Sequence, residues 1–244
     1  MSENSENLDN SGRCGIAGDL AANAFTFFDV IDDMVVIKDR SVSILRRRPM
    51  SKGEATRQRI VLRTANLLNT QGYRGTPVSE IMRVAGLQKG GIYRHFESRD
   101  ALALEAFEFA VARVRNRFFL AVEGKRTAKD KLFALFQVAR RVPREEAFHG
   151  GCPVMNLAVE SDDADPKLRN AARRAMQQII GLFERIIADG VKQGEFPEGD
   201  ARARARMLVA SIEGAILLTN LYKDGTYMEA VLDHLERSVR RGFR

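Results

Sequence analysis

Residues 76–98 read TPVSEIMRVAGLQKGGIYRHFES, and this stretch decides the fold. Thr76 is suited to cap the N-terminus of a helix, and Pro77 is suited to its first turn, where a missing N–H costs nothing. Gly86 predicts the end of that short helix, and a second helix is expected at residues 88–96. Helix, glycine turn and helix form a helix-turn-helix motif, which inserts its second helix into the major groove of DNA.

Two adjacent glycines, Gly90 and Gly91, occur where the second helix begins. Each glycine in a helix costs roughly 1 kcal/mol relative to alanine, because its backbone loses the most freedom on folding. A helix without side chains at these positions can bring its backbone close to another molecule. We therefore interpret this end of the helix as the part that approaches DNA.

The two short helices have an apolar side and a polar side. The apolar side predicts a small core of Ile81, Ala85, Leu87, Ile92 and Phe96. The polar side carries Ser79, Arg83, Gln88, Lys89, Tyr93, Arg94 and His95. A basic face that only meets water is the alternative interpretation, but the turn at Gly86 favours contact with DNA.

Helical periodicity continues on both sides of the motif. Val61, Ala65 and Leu68 form one apolar stripe, and Ser98 is a good N-cap for a long helix after it. Further helices are expected at about 128–142, 153–161, 166–193, 200–222 and 226–241. Few aromatic residues and few turn signals argue against a β-sandwich. The sequence therefore predicts an all-α protein.

Positive charge is concentrated around the same motif. The sequence has a net charge of +7, and residues 50–98 carry 8 Lys and Arg against 3 Asp and Glu. This balance favours an anionic partner such as DNA. Two cysteines are too few for a disulfide framework, and neither a membrane span nor a secretory signal is recognisable. We therefore expect a cytoplasmic protein without membrane contact.

Residues 1–49 differ in composition from the rest of the chain. Ser, Asn, Asp and Gly dominate their first part, and Asp residues interrupt the apolar patch that follows, so a disordered N-terminal extension is expected. Met50 is a candidate start of translation. The triplet Arg46-Arg47-Arg48 is either an arm that contacts DNA phosphates or the minor groove, or an ordinary solvated charge run.

Residues 54–104, EATRQRIVLRTANLLNTQGYRGTPVSEIMRVAGLQKGGIYRHFESRDALAL, resemble the DNA-binding domain of the TetR family of bacterial transcriptional regulators. The resemblance is carried by the helix from Arg57 to Leu68, Gly72-Tyr73, Thr76, Ala85-Gly86, Lys89-Gly90, Tyr93, His95-Phe96 and Ser98. It implies a helix-turn-helix DNA-binding domain at 50–98 and a helical domain at 99–244 that binds an effector and forms the dimer.

The resemblance also implies roles for individual residues. Lys89 and Gly90 would open the recognition helix against the DNA backbone, Tyr93 and His95 would reach phosphates, and Thr76 would dock the preceding helix. Gly91 departs from the Thr, Ser or Ala of the family pattern, which leaves base contacts to Gln88, Ser79 and Arg94. The predicted DNA-binding residues are Thr76, Ser79, Gln88, Lys89, Gly90, Tyr93, Arg94 and His95.

The C-terminal part resembles the family more loosely. Residues 150–170, GGCPVMNLAVESDDADPKLRN, are similar to a segment of several subgroups in which Gly151-Cys152-Pro153 opens the sixth helix. The resemblance implies a cavity for a small, mainly apolar effector. The candidate lining residues, each of which could equally be ordinary core, are Phe107, Val111, Phe133, Phe136, Cys152, Met155, Met176 and Phe183.

Dimerisation is implied because the last two helices of the family usually pair with their symmetry mates. Ala210, Gly214, Leu217 and Leu221 give residues 200–222 a small, apolar stripe that suits such pairing. A homodimer would bind a palindromic operator in double-stranded DNA. The predicted function is a repressor that the effector releases from this operator.

Two alternative functions stay open. Cys152 at a helix start suggests a thiol that senses oxidants or electrophiles, although a buried cysteine is more often a small hydrophobe. The other alternative is a DNA-binding activator without an effector. No enzyme, cofactor or metal site is expected, because His149 and His234 have no metal-ligand spacing and the sequence lacks phosphate-binding and catalytic motifs.

Overall fold

The computed structural model describes residues 36–38, 41–43, 50–144, 150–161 and 166–243. The chain divides into two units, Met1–Arg48 and Pro49–Arg244. In the first unit, strands β1 (Val36–Lys38) and β2 (Ser41–Ser43) pair antiparallel, with Ile37 opposite Val42. For residues 1–49 the sequence predicted disorder or loosely held local structure, which stays a prediction. The rest of that prediction, including the triplet at 46–48, lies outside the described residues.

The described residues of the second unit are built from helices. These are α1 (Lys52–Gln71), α2 (Val78–Ala85), α3 (Lys89–Tyr93), α4 (Arg99–Val122), α5 (Ala128–Arg141), α6 (Pro153–Ser161), α7 (Pro166–Lys192), α8 (Ala201–Tyr222) and α9 (Thr226–Arg240). A short 3-10 helix, Val142–Arg144, follows α5. The all-α prediction is confirmed. Helix α3 is shorter than expected, although the N–H groups of His95 and Phe96 still donate to the Ile92 carbonyl.

Helices α1, α2 and α3, within residues 50–98, form what we call the head. Its buried side chains include Ile60, Leu68, Ile81, Ile92 and Phe96. This agrees with the predicted core, except that Leu87 is only half-buried. Ser98 caps α4 as expected, since its hydroxyl accepts the N–H of Ala101 at 3.0 Å.

Residues 99–243 form what we call the body, which α4 connects to the head. Helix α4 packs against α1 of the head and against α5, α6 and α7 of the body, while α8 packs between α7 and α9. The body core contains large buried side chains, including Phe107, Leu132, Leu135, Phe136, Leu157, Phe183 and Ile186. No helix in the part of the chain that the structure describes is both long and apolar enough to span a membrane.

Candidate nucleic-acid interface and ligand cavity

The turn between α2 and α3 is fixed by backbone geometry and by one long side chain. Gly86 adopts the left-handed conformation, with φ 67° and ψ 37°, which glycine reaches without the steric cost of a side chain. The N–H of Leu87 donates to the Met82 carbonyl at 3.1 Å. From α1, Nη1 of Arg63 donates to the Val84 carbonyl at 2.6 Å. Arg63 therefore ties α1 to the end of α2, a contact that the sequence analysis missed.

Thr76 does not have the predicted position. Its side chain is 1% exposed, and its hydroxyl donates to the Gly72 carbonyl instead of capping α2. Pro77 occupies the N-cap position, without a side-chain cap. The predicted cap is therefore wrong, and the role of Thr76 in DNA binding stays a prediction. Its backbone supports the head, because the Arg99 guanidinium donates to the Thr76 carbonyl at 3.1 Å.

The other predicted DNA-binding residues lie at or near the surface of the head. Ser79, Gln88, Lys89, Gly90, Tyr93 and Arg94 are exposed, whereas His95 is half-buried. The Lys89 ammonium lies 5.9 Å from the centroid of the Tyr93 ring. The His95 ring contacts Phe96, with 6.4 Å between the centroids. The start of α2 and the stretch from Gln88 to Arg94 therefore present cations and hydrogen-bonding groups to the solvent.

Gly90 and Gly91 differ in their surroundings. A Cβ built on Gly90 would meet no atom within 4 Å, whereas one on Gly91 would lie 3.4 Å from Cβ of Leu87. Neither residue needs the left-handed conformation that favours glycine. The fold therefore does not require glycine at position 90. A glycine there would matter to a molecule that the helix backbone approaches closely.

A cavity of about 40 Å³ lies in the body between α4, α5, α6, α7 and α8. A single water molecule occupies roughly 10–15 Å³ on this measure, so the cavity is small. Its wall is mostly apolar and includes Val114, Phe118, Leu135, Ile179, Phe183, Val209, Ile212 and Ile216. Two polar groups interrupt it, the thiol of Cys152 and the carboxyl of Glu213.

Two of the eight predicted lining residues, Cys152 and Phe183, belong to this wall. The wall does not include Phe107, Val111, Phe133, Phe136, Met155 or Met176. Phe107 packs edge-on against Tyr73 of the head, with ring centroids 6.2 Å apart. Phe133 lies under the guanidinium of Arg240, 4.7 Å from its ring centroid. Helical periodicity identified these apolar side chains, but it does not tell a cavity wall from a packed interface.

The thiol of Cys152 and the carboxyl of Glu213 both lie in the cavity wall, and each affects the pKa of the other. Burial, with a further contribution from Glu213, raises the pKa of the Cys152 thiol well above its usual value, which disfavours the reactive thiolate. Burial also raises the pKa of Glu213, against the opposing effect of the Cys152 hydrogen bond. Sequence analysis missed Glu213. Its signal was an acid next to Ile212 on the apolar side of a helix.

Residues 150–161, which we call the bridge, connect the cavity to the head. At its start, Cys152 and Pro153 line the cavity. Near its end, Glu160 Oε2 accepts the backbone N–H groups of Tyr73 at 2.6 Å and Arg74 at 3.1 Å. The same segment contacts the end of α1 through side-chain amides.

Asn69 is the centre of that second contact. Its Nδ2 donates to the Gly151 carbonyl at 3.0 Å, and Nδ2 of Asn156 donates to the Asn69 carbonyl at 3.1 Å. A Cβ on Gly150 would lie only 2.1 Å from the Asn69 carbonyl oxygen. Backbone of the bridge therefore touches backbone of the head at this point.

Helix α8 exposes an apolar stripe on its outer side. Met207, Leu217 and Leu221 are 44%, 60% and 66% exposed, and they lie on the same helix as Ala210 and Gly214. The exposed Tyr222 stacks on Tyr227 of α9, with 5.1 Å between ring centroids. Large exposed apolar patches mark interaction sites in soluble proteins.

Known proteins resemble the chain over both the head and the body. Residues 60–106 match the model "Bacterial regulatory proteins, tetR family", and residues 128–235 match "Tetracyclin repressor-like, C-terminal domain". The crystal structure of a TetR transcriptional regulator from Chloroflexus aurantiacus J-10-FL has 39% sequence identity and a TM-score of 0.75, covering 78% of this chain and 96% of that one.

Two transcriptional regulators from other bacteria are similar to the chain over most of their length. The transcriptional regulator LmrA of Bacillus subtilis is 28% identical over 179 residues, which are 72% of this chain and 92% of that protein. The transcriptional repressor NemR of Escherichia coli is 23% identical over 186 residues, or 75% of this chain and 94% of that protein.

Proposed function

This chain belongs to the TetR family of bacterial transcriptional regulators, and from that premise we propose that it is a homodimeric repressor released from a palindromic operator by a small, mainly apolar effector. Repression is supported by the repressor-like model that the body matches and by the similarity to NemR, which is named a repressor. The exposed stripe on α8 supports dimerisation through α8 and α9.

In the proposed complex, each head inserts α3 into the major groove of one half-site. Half-sites read by a dimer lie one helical turn, roughly 34 Å, or more apart. Lys89 neutralises a phosphate, and Gln88, Ser79 and Arg94 are exposed for contact with base edges. The open space at Gly90 lets the helix backbone come close to the duplex.

The observation that carries the effector proposal is the bridge. It lines the cavity at Cys152 and Pro153 and hydrogen-bonds the head at Asn69 and Tyr73. An effector can only release DNA if it binds better to a conformation that binds DNA worse. Because the cavity is smaller than an organic ligand, an effector must enlarge it, and the bridge would transmit that enlargement to the head.

Two experiments test the proposal. Fluorescence anisotropy with the protein's own upstream DNA should show affinity that falls with salt at a log-log slope of about −0.9 per neutralised phosphate. Lys89→Ala and Tyr93→Phe should weaken binding, whereas Lys192→Ala, an exposed change on the body, should not. Equal affinity for unrelated DNA would refute a specific regulator.

The alternatives predict other outcomes. A thiol sensor would lose its response to oxidants in Cys152→Ser, but burial and the raised pKa of this thiol give that alternative little support. An activator without an effector would raise transcription from its promoter in vitro and would keep its DNA affinity in the presence of every cavity ligand.

A further inference from the structure

The cavity wall contains one buried acid, Glu213. Its side chain lies at the middle of α8, and the residue is 6% exposed. The neighbouring wall positions on the same helix are apolar, namely Val209, Ile212 and Ile216. The fold therefore keeps a carboxyl group in surroundings that would otherwise suit a Leu or Val.

Only part of the hydrogen-bonding capacity of this carboxyl is used. The buried Oε2 of Glu213 has no hydrogen-bond partner within the described residues. A buried polar atom without a partner costs about 1–3 kcal/mol, and more when it is charged. At a cavity wall, such an atom can accept a hydrogen bond from a ligand that enters the cavity.

We propose that Glu213 anchors an effector that carries a protonated amine on an apolar body. The amine donates a charge-assisted hydrogen bond to Oε2, and the apolar wall takes the hydrocarbon part. This inference rests on the proposed function and names the chemical class of its effector. A carboxylate ligand brings no N–H donor to Oε2, and a neutral ligand of the same shape binds less tightly because it brings no charge to the acid.

The position of Glu213 also connects the ligand to the release of DNA. Glu213 shares the cavity wall with Cys152, the first cavity residue of the bridge. The ligand body needs more room than about 40 Å³. A ligand held at Glu213 therefore presses on the segment that contacts the head at Asn69.

The test compares three ligands of nearly the same shape, cyclohexylamine, cyclohexanol and cyclohexanecarboxylate, by calorimetric titration of the full chain at neutral pH. The amine should bind at least about tenfold more tightly than the alcohol, as expected for one charge-assisted hydrogen bond, and the carboxylate should bind weakest. In Glu213→Gln this preference should disappear while affinity for cyclohexanol stays within about twofold. Glu198→Gln, an exposed change on the body, is the matched control and should keep the preference.

The outcomes separate this inference from the proposed function. An amine that binds no better than the alcohol, including the case in which neither binds, overturns the inference, and so does a preference that survives in Glu213→Gln. The wild-type comparison decides even if that variant fails to fold. If the amine binds through Glu213 but operator anisotropy is unchanged, the site stands and the effector-released repressor fails. If a ligand of another class releases the operator and the amine does not bind through Glu213, the effector-released repressor stands and the amine site fails.

Discussion

Removing the carboxylate of Glu160 should loosen the contact between bridge and head. Glu160→Ala deletes the acceptor of two backbone N–H groups, those of Tyr73 and Arg74, at 2.6 and 3.1 Å. Hydrogen bonds to a charged group contribute about 1.5–3 kcal/mol each. The Arg74 bond is exposed and the Tyr73 bond is part-buried, so values at or below the lower limit apply. We expect the free energy of unfolding to fall by about 2 kcal/mol.

Two measurements check this prediction. Urea denaturation at fixed protein concentration gives the free energy of unfolding, and hydrogen exchange gives the local opening at each amide. The amides of Tyr73 and Arg74 should exchange faster in Glu160→Ala, while Glu160→Gln should retain part of the protection because its amide oxygen still accepts. Glu198→Ala, an exposed change on the same unit, is the control. Unchanged exchange at both amides would refute the role of Glu160 in holding the head.

Three further changes test the interface, the dimer and the cavity. Gly90→Ala should stabilise the free protein by roughly 0.5–1 kcal/mol in thermal unfolding, because the added methyl meets nothing, yet weaken operator binding in anisotropy titrations. Unchanged operator affinity would show that no molecule approaches Gly90 closely. Leu221→Glu on the α8 stripe should give monomers in analytical ultracentrifugation. The control Val159→Glu, at a 73% exposed position of α6, should leave the dimer intact. A dimer that survives Leu221→Glu would place the interface elsewhere. Glu213→Gln should gain stability relative to the wild type as the pH rises above about 4.5, because burial raises the folded-state pKa of Glu213 and its ionisation then destabilises the wild type. Urea denaturation at several pH values measures this difference, and a gap that does not widen with pH would contradict the burial of the charged form.

The parts of the fold that depend on residues adjacent in the sequence could be predicted from the sequence. The turn at Gly86, the cap at Ser98 and the bounds of α6 follow from local backbone preferences, which act over a few residues. The role of Thr76 was predicted wrongly because its hydroxyl has two possible local hydrogen bonds. It can accept an N–H at the start of α2 or donate to the Gly72 carbonyl, and the tertiary fold favours the second. Local preference could not decide between them.

The cavity was harder to predict for a different reason. Its wall takes side chains from helices far apart in the sequence, and an apolar stripe has the same appearance whether it meets a cavity or another helix. Phe183 and Cys152 were therefore found alongside six residues outside the wall. Glu213 had a signal of another kind, since an acid on the apolar side of a helix must find a partner, and that signal depends on chemistry instead of spacing.

The glycines of the bridge explain why the contact between body and head can be rigid. Gly150 and Gly151 both have positive φ, 100° and 99°, so the chain turns where an L side chain would be strained. At Gly150 that turn brings the bridge against the Asn69 carbonyl, where even a methyl group would collide. A contact between two backbones has no rotamers through which to relax, unlike one between long side chains. The path from Cys152 to α1 therefore spans only the few residues between the cavity wall and Asn69.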